Sequence, residues 1–340
     1  MTVTLKDIAK KVGVHPSTIS RVLSGKYDHF NVSEKTRKLI LETVKEYNYA
    51  PNEMARNLRL QKTQTIGLII PDILNPFYAG IARSLGIECE KNDYSYIICN
   101  TDEVQEKEIN FIKMLKRRRI EGLIITPVQD SKNHFEELLE EKFPFVLTSR
   151  CFNDLETNAV VTDDYNDVFK AVEYLIKLGH SRIGFIRGRK ASSAIQDREK
   201  GYKGALAKYN MQIDQDLIVG NGCTVEGGYE ATKEILNLPE RPTALLVSAN
   251  VIVVGALEAI FEAGLSVPDD VSVVGFTNMK STPYLSYPLT SISQPIGQLG
   301  KRAFDLLFKQ IQSPDEHRYK KIVLPSKFSV GKSTQKAIGS

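Results

Sequence analysis

From residue 65 onward short apolar runs alternate with amphipathic stretches, and this rhythm limits the available folds more than any other feature. The runs are Ile66-Gly-Leu-Ile-Ile70, Tyr96-Ile-Ile-Cys99, Gly122-Leu-Ile-Ile125, Phe145-Val-Leu147, Val160-Val161, Ile183-Gly-Phe-Ile186, Ala244-Leu-Leu-Val247 and Val271-Ser-Val-Val-Gly-Phe276. They are rich in β-branched residues and do not alternate with polar ones, as strands buried on both faces of a parallel sheet require. The stretches between them, 164–178 and 251–264 for example, carry apolar residues at helical spacing. Strand–helix alternation predicts a doubly wound α/β core. The run at 183 repeats the pattern of the run at 66, which predicts two similar halves. Such halves meet at a cleft toward which strand C-termini direct polar groups.

The first sixty residues read differently. Residues 1–62 hold 12 Lys+Arg against 6 Asp+Glu, a net charge of +6, whereas the rest of the chain is at −2. A basic head on a near-neutral body points to a polyanionic partner. Thr4 and Asp7 have the spacing of a capping box, and Leu5, Ile8 and Val12 follow as one apolar stripe. Gly13-Val14 breaks that helix. His15-Pro16 starts a second, with Pro at the position where a missing N–H costs nothing. Ile19, Val22 and Leu23 face back, which leaves Ser17, Thr18, Ser20 and Arg21 outside. A third helix starts at Ser33 with Ile40, Val44 and Tyr47 as its buried edge. Three short helices with a tight turn describe a helix-turn-helix head, whose hydroxyls and arginine suit base edges and phosphates. A protein-interaction module of the same shape is the alternative. The following segment, 53–59, is too short to be stable alone and suits a linker that orders on a partner.

The strings Leu5-Lys-Asp-Ile-Ala-Lys-Lys-Val-Gly-Val14, Ser17-Thr-Ile-Ser-Arg-Val-Leu23, Val32-Ser-Glu-Lys-Thr-Arg37 and Tyr49-Ala-Pro-Asn-Glu-Met-Ala-Arg-Asn-Leu58 resemble the lactose-repressor (LacI/GalR) family. In the body the resemblance continues through Asn75-Pro-Phe77, 178–185, Asp197-Arg198 with Gly201-Tyr202, 267–276 and 289–295. It implies that the helix from Pro16 reads the major groove. It also implies that paired hinge helices enter the minor groove, where Leu58 wedges a base step. The DNA contacts expected on this reading are Thr4, Lys6, His15, Pro16, Ser17, Thr18, Ser20 and Arg21, then Asn31, Ser33 and Thr36, and in the hinge Asn52, Ala55, Arg56 and Leu58. His15 stands where the family usually has a serine cap, and the 24–31 loop is longer than usual, so operator sequence does not transfer.

The same resemblance implies a periplasmic-binding-protein-like effector core. The expected effector contacts are Asn75, Phe77, Tyr78, Arg150, Asp163, Arg198, Asn250, Thr277 and Asn278. Arg198 is the firmest, since guanidinium grips a carboxylate or a diol bidentately; the alternative is an ion pair with Asp197 or Glu199. Phe77 either stacks on a sugar or base face or packs in the core. Asp163 either accepts hydroxyl hydrogens or caps the helix that starts there. The family's usual aspartates after Phe276 and Asn250 are replaced by Thr277 and Val251. With Arg150, Arg189, Lys190 and Arg198 retained, that favours a sugar acid or sugar phosphate over a neutral sugar.

The expected organisation is a head at 1–49, a hinge helix at 50–63 and an effector-binding and dimerisation core at 64–340. One subdomain takes about 64–161 and 293–320, the other about 162–292 and 321–340. The expected partners are a pseudo-palindromic operator duplex, a small-molecule effector and a second copy of the chain. The 330–340 stretch shows no leucine heptads, which points to a dimer. Scattered cysteines and histidines predict no metal and no cofactor, and fit a reducing cytoplasm. Gly331-Lys-Ser-Thr334 lacks the upstream glycine of a phosphate loop and reads as a polar tail. With no G-x-S-x-G or H-E-x-x-H, an enzyme is not expected. A secreted solute-binding protein fails on the basic head and the absence of an apolar leader.

Overall fold

A computed structural model describes residues 3–23, 32–49, 63–277, 284, 286–314 and 318–337. The chain forms two compact units, Met1–Thr63 and Gln64–Ser340. Asn31, Asn52, Ala55, Arg56, Leu58 and Asn278 lie outside the described residues.

In the first unit α1 (Leu5–Val12), α2 (Pro16–Leu23) and α3 (Glu34–Glu46) pack around Ile8, Ala9, Ile19, Val22 and Ile40. Thr4 and Asp7 close the capping box in both directions. Gly13 ends α1 with φ of 76°, a left-handed conformation that only glycine adopts without strain. Ser33 caps α3 through the Thr36 N–H at 3.2 Å. One expectation fails: Tyr47 is 38 % exposed and lies beside the Lys11 ammonium, whereas Tyr49 packs on the core. The last turn of α3 ends at Tyr47, so the returning chain, not the helix, carries the aromatic residue inward.

The second unit holds two six-stranded sheets. The first contains β1 (Thr65–Ile70), β2 (Ser95–Asn100), β3 (Gly122–Ile125), β4 (Phe145–Thr148) and β5 (Ala159–Thr162), with α4 (Pro76–Lys91), α5 (Gln105–Arg117) and α6 (Asn133–Glu140) between strands. The second contains β6 (Ile183–Ile186), β7 (Ile218–Val219), β8 (Ala244–Val247), β9 (Ser272–Phe276) and β10 (Thr290–Ser293), with α7 (Asp164–Lys177) leading in. Its connecting helices are α8 (Ser193–Lys208), α9 (Val225–Leu236) and α10 (Asn250–Glu262). The strand orders β5-β4-β3-β1-β2 and β10-β9-β8-β6-β7 are the same topology twice, every pair parallel. Buried runs such as β3, β4, β6 and β8 have helices on both faces. β2 departs from this pattern: it is an edge strand, and its Ile98 is 40 % exposed.

After β10 the chain returns to the first half as α11 (Ile296–Gln312), whose Leu299, Ala303 and Phe304 join the first core. The next strand, β11 (Lys321–Leu324), pairs parallel with β5, and only then does β12 (Lys327–Ser329) cross to pair antiparallel with β10. The final crossing therefore falls at 325–326, not at 320–321. β11 is a half-exposed edge strand, and only Ile322 and Leu324 meet the first core, so its four residues carry no mark of which sheet they join. The Gly331–Thr334 stretch is no loose tail. Ser333 is fully buried, donating to the Val273 carbonyl at 2.7 Å and accepting from the Thr290 N–H at 2.8 Å. Among the described residues no helix is long and apolar enough to cross a membrane.

Candidate functional site

On the head, apolar periodicity decides which residues face outward. Ile19 and Val22 bury one side of α2 and leave Ser17, Thr18, Ser20 and Arg21 partly exposed on the rest of it. His15 replaces the expected serine cap chemically as well as positionally. Its Nδ1 accepts from the Ser17 N–H at 3.3 Å and lies 2.8 Å from the Ser17 hydroxyl, so a ring nitrogen does the work of a cap oxygen. Thr4 and Lys6 are exposed at the start of α1, as is Ser33 at the start of α3. The Ser33 and Thr36 hydroxyls are 2.8 Å apart within the α3 cap. The Thr4 cap hydrogen bonds hold the Asp7 carboxyl below the usual aspartate value.

In the second unit a cleft opens between the C-terminal ends of the two sheets. Asn75, Phe77, Tyr78, Ser149 and Arg150 line it from the first half, and Arg189, Ser192, Arg198, Cys223 and Asn250 from the second. The inner part is nearly filled, at about 50 Å³, and it opens onto a larger cavity of about 880 Å³. Asn75 caps α4 through the Phe77 N–H at 3.0 Å, and its Oδ1 also accepts from Asn250 Nδ2 at 2.8 Å across the cleft. Phe77 packs in the first core, edge-on to Tyr78, and also lines the cleft.

Arg198 pairs with neither Asp197 nor Glu199. Asp197 binds Lys200, and Glu199 binds Arg187 and Lys203. The Arg198 guanidinium instead lies over the Phe276 ring, its Cζ 3.5 Å from the centroid, with Nε and Nη2 on Asp164 Oδ1 at 2.9 and 2.8 Å. Its Nη1 donates to the Ser248 carbonyl. Burial pushes the Asp164 carboxyl up to about 6, against the pull of Arg198 and the Thr162 hydroxyl.

Arg150 is equally committed. It forms a bidentate pair with Glu103 at 2.6 and 2.8 Å and donates to the Pro127 carbonyl and the Tyr78 hydroxyl, both at 3.1 Å. Burial pushes the Tyr78 phenol far above its ordinary range, so it is a neutral partner at any physiological pH. Arg189 reaches from the second half to the Val128 carbonyl and Asp130 of the first. That loop is positioned by fully buried Glu108, which accepts from the Val128 N–H at 3.0 Å and contacts His134 Nε2 at 2.8 Å.

Two expected residues, Asp163 and Thr277, are not among those lining these two cavities. Asp163 accepts from Asn166 Nδ2 at 2.9 and 3.0 Å beside the start of α7, and the adjacent Asp164 takes the inward position. Thr277 is buried at the end of β9, its N–H on the Ile292 carbonyl. The sequence reading missed Glu103 and Phe276 as cleft chemistry, and of the two aspartates at the 162–164 strand tip it chose Asp163. For Asp164 the paired Asp163-Asp164 was a signal, but the phase of the helix decides which carboxylate turns inward. Among the described residues no three metal-ligating side chains cluster.

The model for bacterial regulatory proteins of the lacI family matches residues 4–52, and that for a periplasmic binding protein-like domain matches residues 172–334. The chain is 34 % identical over 310 residues to the catabolite control protein A of Priestia megaterium, covering 91 % of this chain and 92 % of that one. It is 33 % identical over 321 residues to the ribose operon repressor of Haemophilus influenzae, covering 94 % and 95 %. Among solved structures, the Lac repressor dimer bound to operator and the anti-inducer ONPF aligns with a TM-score of 0.87 at 25 % identity, over 98 % of this chain and all of that one. A LacI family regulator from Enterococcus faecium with bound ribose aligns at 0.73 with 30 % identity, over 80 % and 99 %. The basic helix-turn-helix head, the duplicated α/β core and these relatives agree: the chain belongs to the lacI family of bacterial regulatory proteins, as a DNA-binding transcriptional regulator with an effector-binding body.

Proposed function

We propose that the effector is a neutral polyhydroxy compound of sugar type, seated in the cleft of the second unit. The observation that carries this is that every cleft arginine already has a carboxylate: Arg150 has Glu103, Arg189 has Asp130 and Arg198 has Asp164. An anion entering here meets three neutralised guanidinium groups and three carboxylates. A sugar instead finds paired donors and acceptors for its hydroxyls, with Phe77 and Tyr78 as apolar walls. The second reading is a sugar acid or sugar phosphate, favoured by Thr277 and Val251 in place of aspartates together with the cleft cations, among them Lys190 on the wall of the larger cavity. The bound ribose of the Enterococcus faecium regulator supports the first.

The head reads an operator half-site through α2, and Asn52, Ala55, Arg56 and Leu58 contact the minor groove when two chains bind a pseudo-palindrome together. The second copy docks on the body, where Ile73, Leu74 and Ile87 leave apolar surface exposed on and before α4. The effector acts by binding the two relative poses of the half-domains unequally, which biases hinge ordering. The protein works in the cytoplasm. Calorimetric titration of the full chain with D-ribose, D-ribonate and D-ribose 5-phosphate tests the ligand class, with an operator gel shift as the functional readout. Binding confined to the two anions would overturn the neutral-sugar reading.

A further inference from the structure

We infer that Glu103 sets the charge of the ligand that the cleft accepts; this rests on the reading of the cleft as the effector site. Arg150 is only 5 % exposed, and among the described residues Glu103 is the one carboxylate to which it donates a hydrogen bond. Its remaining acceptors, the Pro127 carbonyl and the Tyr78 hydroxyl, are neutral. Without Glu103 a planar two-donor fork with full positive charge would face the cavity, the geometry that grips a carboxylate or a phosphate. With Glu103 in place the fork is filled, and an incoming anion must break a bidentate pair and then sit against the displaced carboxylate.

Two further observations single out this side chain. Glu103 Oε2 also lies 3.8 Å from Arg189 Nη1, so it stands between an arginine of each half and counts toward the charge of both walls. Its backbone is left-handed, with φ of 57°, directly after Asp102 at 52°. Aspartate tolerates that conformation, and Asp102 is anchored to Asn100 and Lys107; glutamate gains nothing local from it. The turn thus holds Glu103 in an unfavourable backbone state that aims its carboxylate at Arg150 and not at solvent. Glu103, Tyr78, Asn75 and Arg189 share the wall of the larger cavity, so a ligand there meets this carboxylate directly.

The test uses the full chain and inorganic phosphate as the probe, which needs no knowledge of the natural effector. At about 10 mM phosphate, against chloride of equal ionic strength, the wild type should show no change in melting temperature, whereas Glu103→Ala should rise by about 3–5 °C. Glu103→Gln keeps the shape and an acceptor for Arg150 while removing the charge, and it should respond in the same direction if the alanine variant folds poorly. The ratio of Kd for D-ribose to that for D-ribose 5-phosphate should rise at least about tenfold in either variant. Equal stabilisation of the wild type by phosphate, or no phosphate response in either variant, overturns the inference. If D-ribose fails to bind the wild type, the neutral-sugar reading is weakened, and the phosphate comparison still decides the role of Glu103.

Discussion

The head and the body hold their functional side chains by opposite means. In the head every cap spans a few residues: Thr4 to Asp7, His15 to Ser17, Ser33 to Thr36. The core those caps frame is five buried residues, and the outward hydroxyls follow from helical period alone. In the body the partners lie far apart in sequence. Asn75 meets Asn250, Glu103 meets Arg150, and Asp164 meets Arg198. A local scaffold presents a fixed surface to a polyanion. A non-local one builds the site from both halves, with Asn250 on Asn75 and Arg189 on Asp130 bridging them, so a ligand between them can favour one pose over another.

The sharpest break between the regions is deletion of residues 1–62. Operator and nonspecific gel shifts should both vanish, while calorimetric sugar binding to the body persists. Loss of both would mean that the two units are not separable. Next is Asp164→Asn, which strips the counter-charge from buried Arg198. It should destabilise the body by about 3–5 kcal/mol in denaturant titration and abolish effector binding, yet leave nonspecific DNA affinity at the wild-type level. The same variant carries a pH signature. Because the folded carboxyl titrates at about 6, above the ordinary aspartate value, the folded body holds that proton more tightly than the unfolded chain. Its contribution makes stability fall as pH rises from about 4 to about 6, and the slope should disappear in Asp164→Asn.

Salt separates the regions without mutation. Operator affinity should drop steeply between 50 and 200 mM salt, by about 10³-fold or more if several phosphates are contacted, while neutral-sugar affinity stays flat. An equal salt slope for both would sink the neutral-ligand reading. The smallest expected effect is Thr4→Ala, which removes one helix cap and should lower head stability by about 1 kcal/mol, detectable as an earlier head transition with the body transition unmoved. Asp7 adds a matching pH effect of opposite sign to that of Asp164. Its lowered folded value means that head stability is present above the ordinary aspartate range and declines as pH falls through it.

Much of this was legible in the residues. The doubly wound halves could be read from non-alternating apolar runs, and the three helices of the head from caps and stripes, because both signals are local and repeated. Edge elements were not: β7, β11 and β12 are two to four residues long, and half of β11 faces solvent. The cleft residues were legible as types but not as partners. Arg198 was legible from its motif, and the only counter-ions considered for it were its neighbours Asp197 and Glu199, whereas the carboxylate it holds lies 34 residues away.

What the sequence alone determined is therefore the alternation that dictates two parallel sheets, the basic head, and the outward face of α2. Each of these follows from uninterrupted apolar runs, from the 3.6-residue helical period and from composition. What only the tertiary structure decided is the charge state of the cleft. Arg150, Arg189 and Arg198 look like an anion site along the chain. Whether a guanidinium is free or already paired depends on loops more than twenty residues away, and no local pattern encodes that distance.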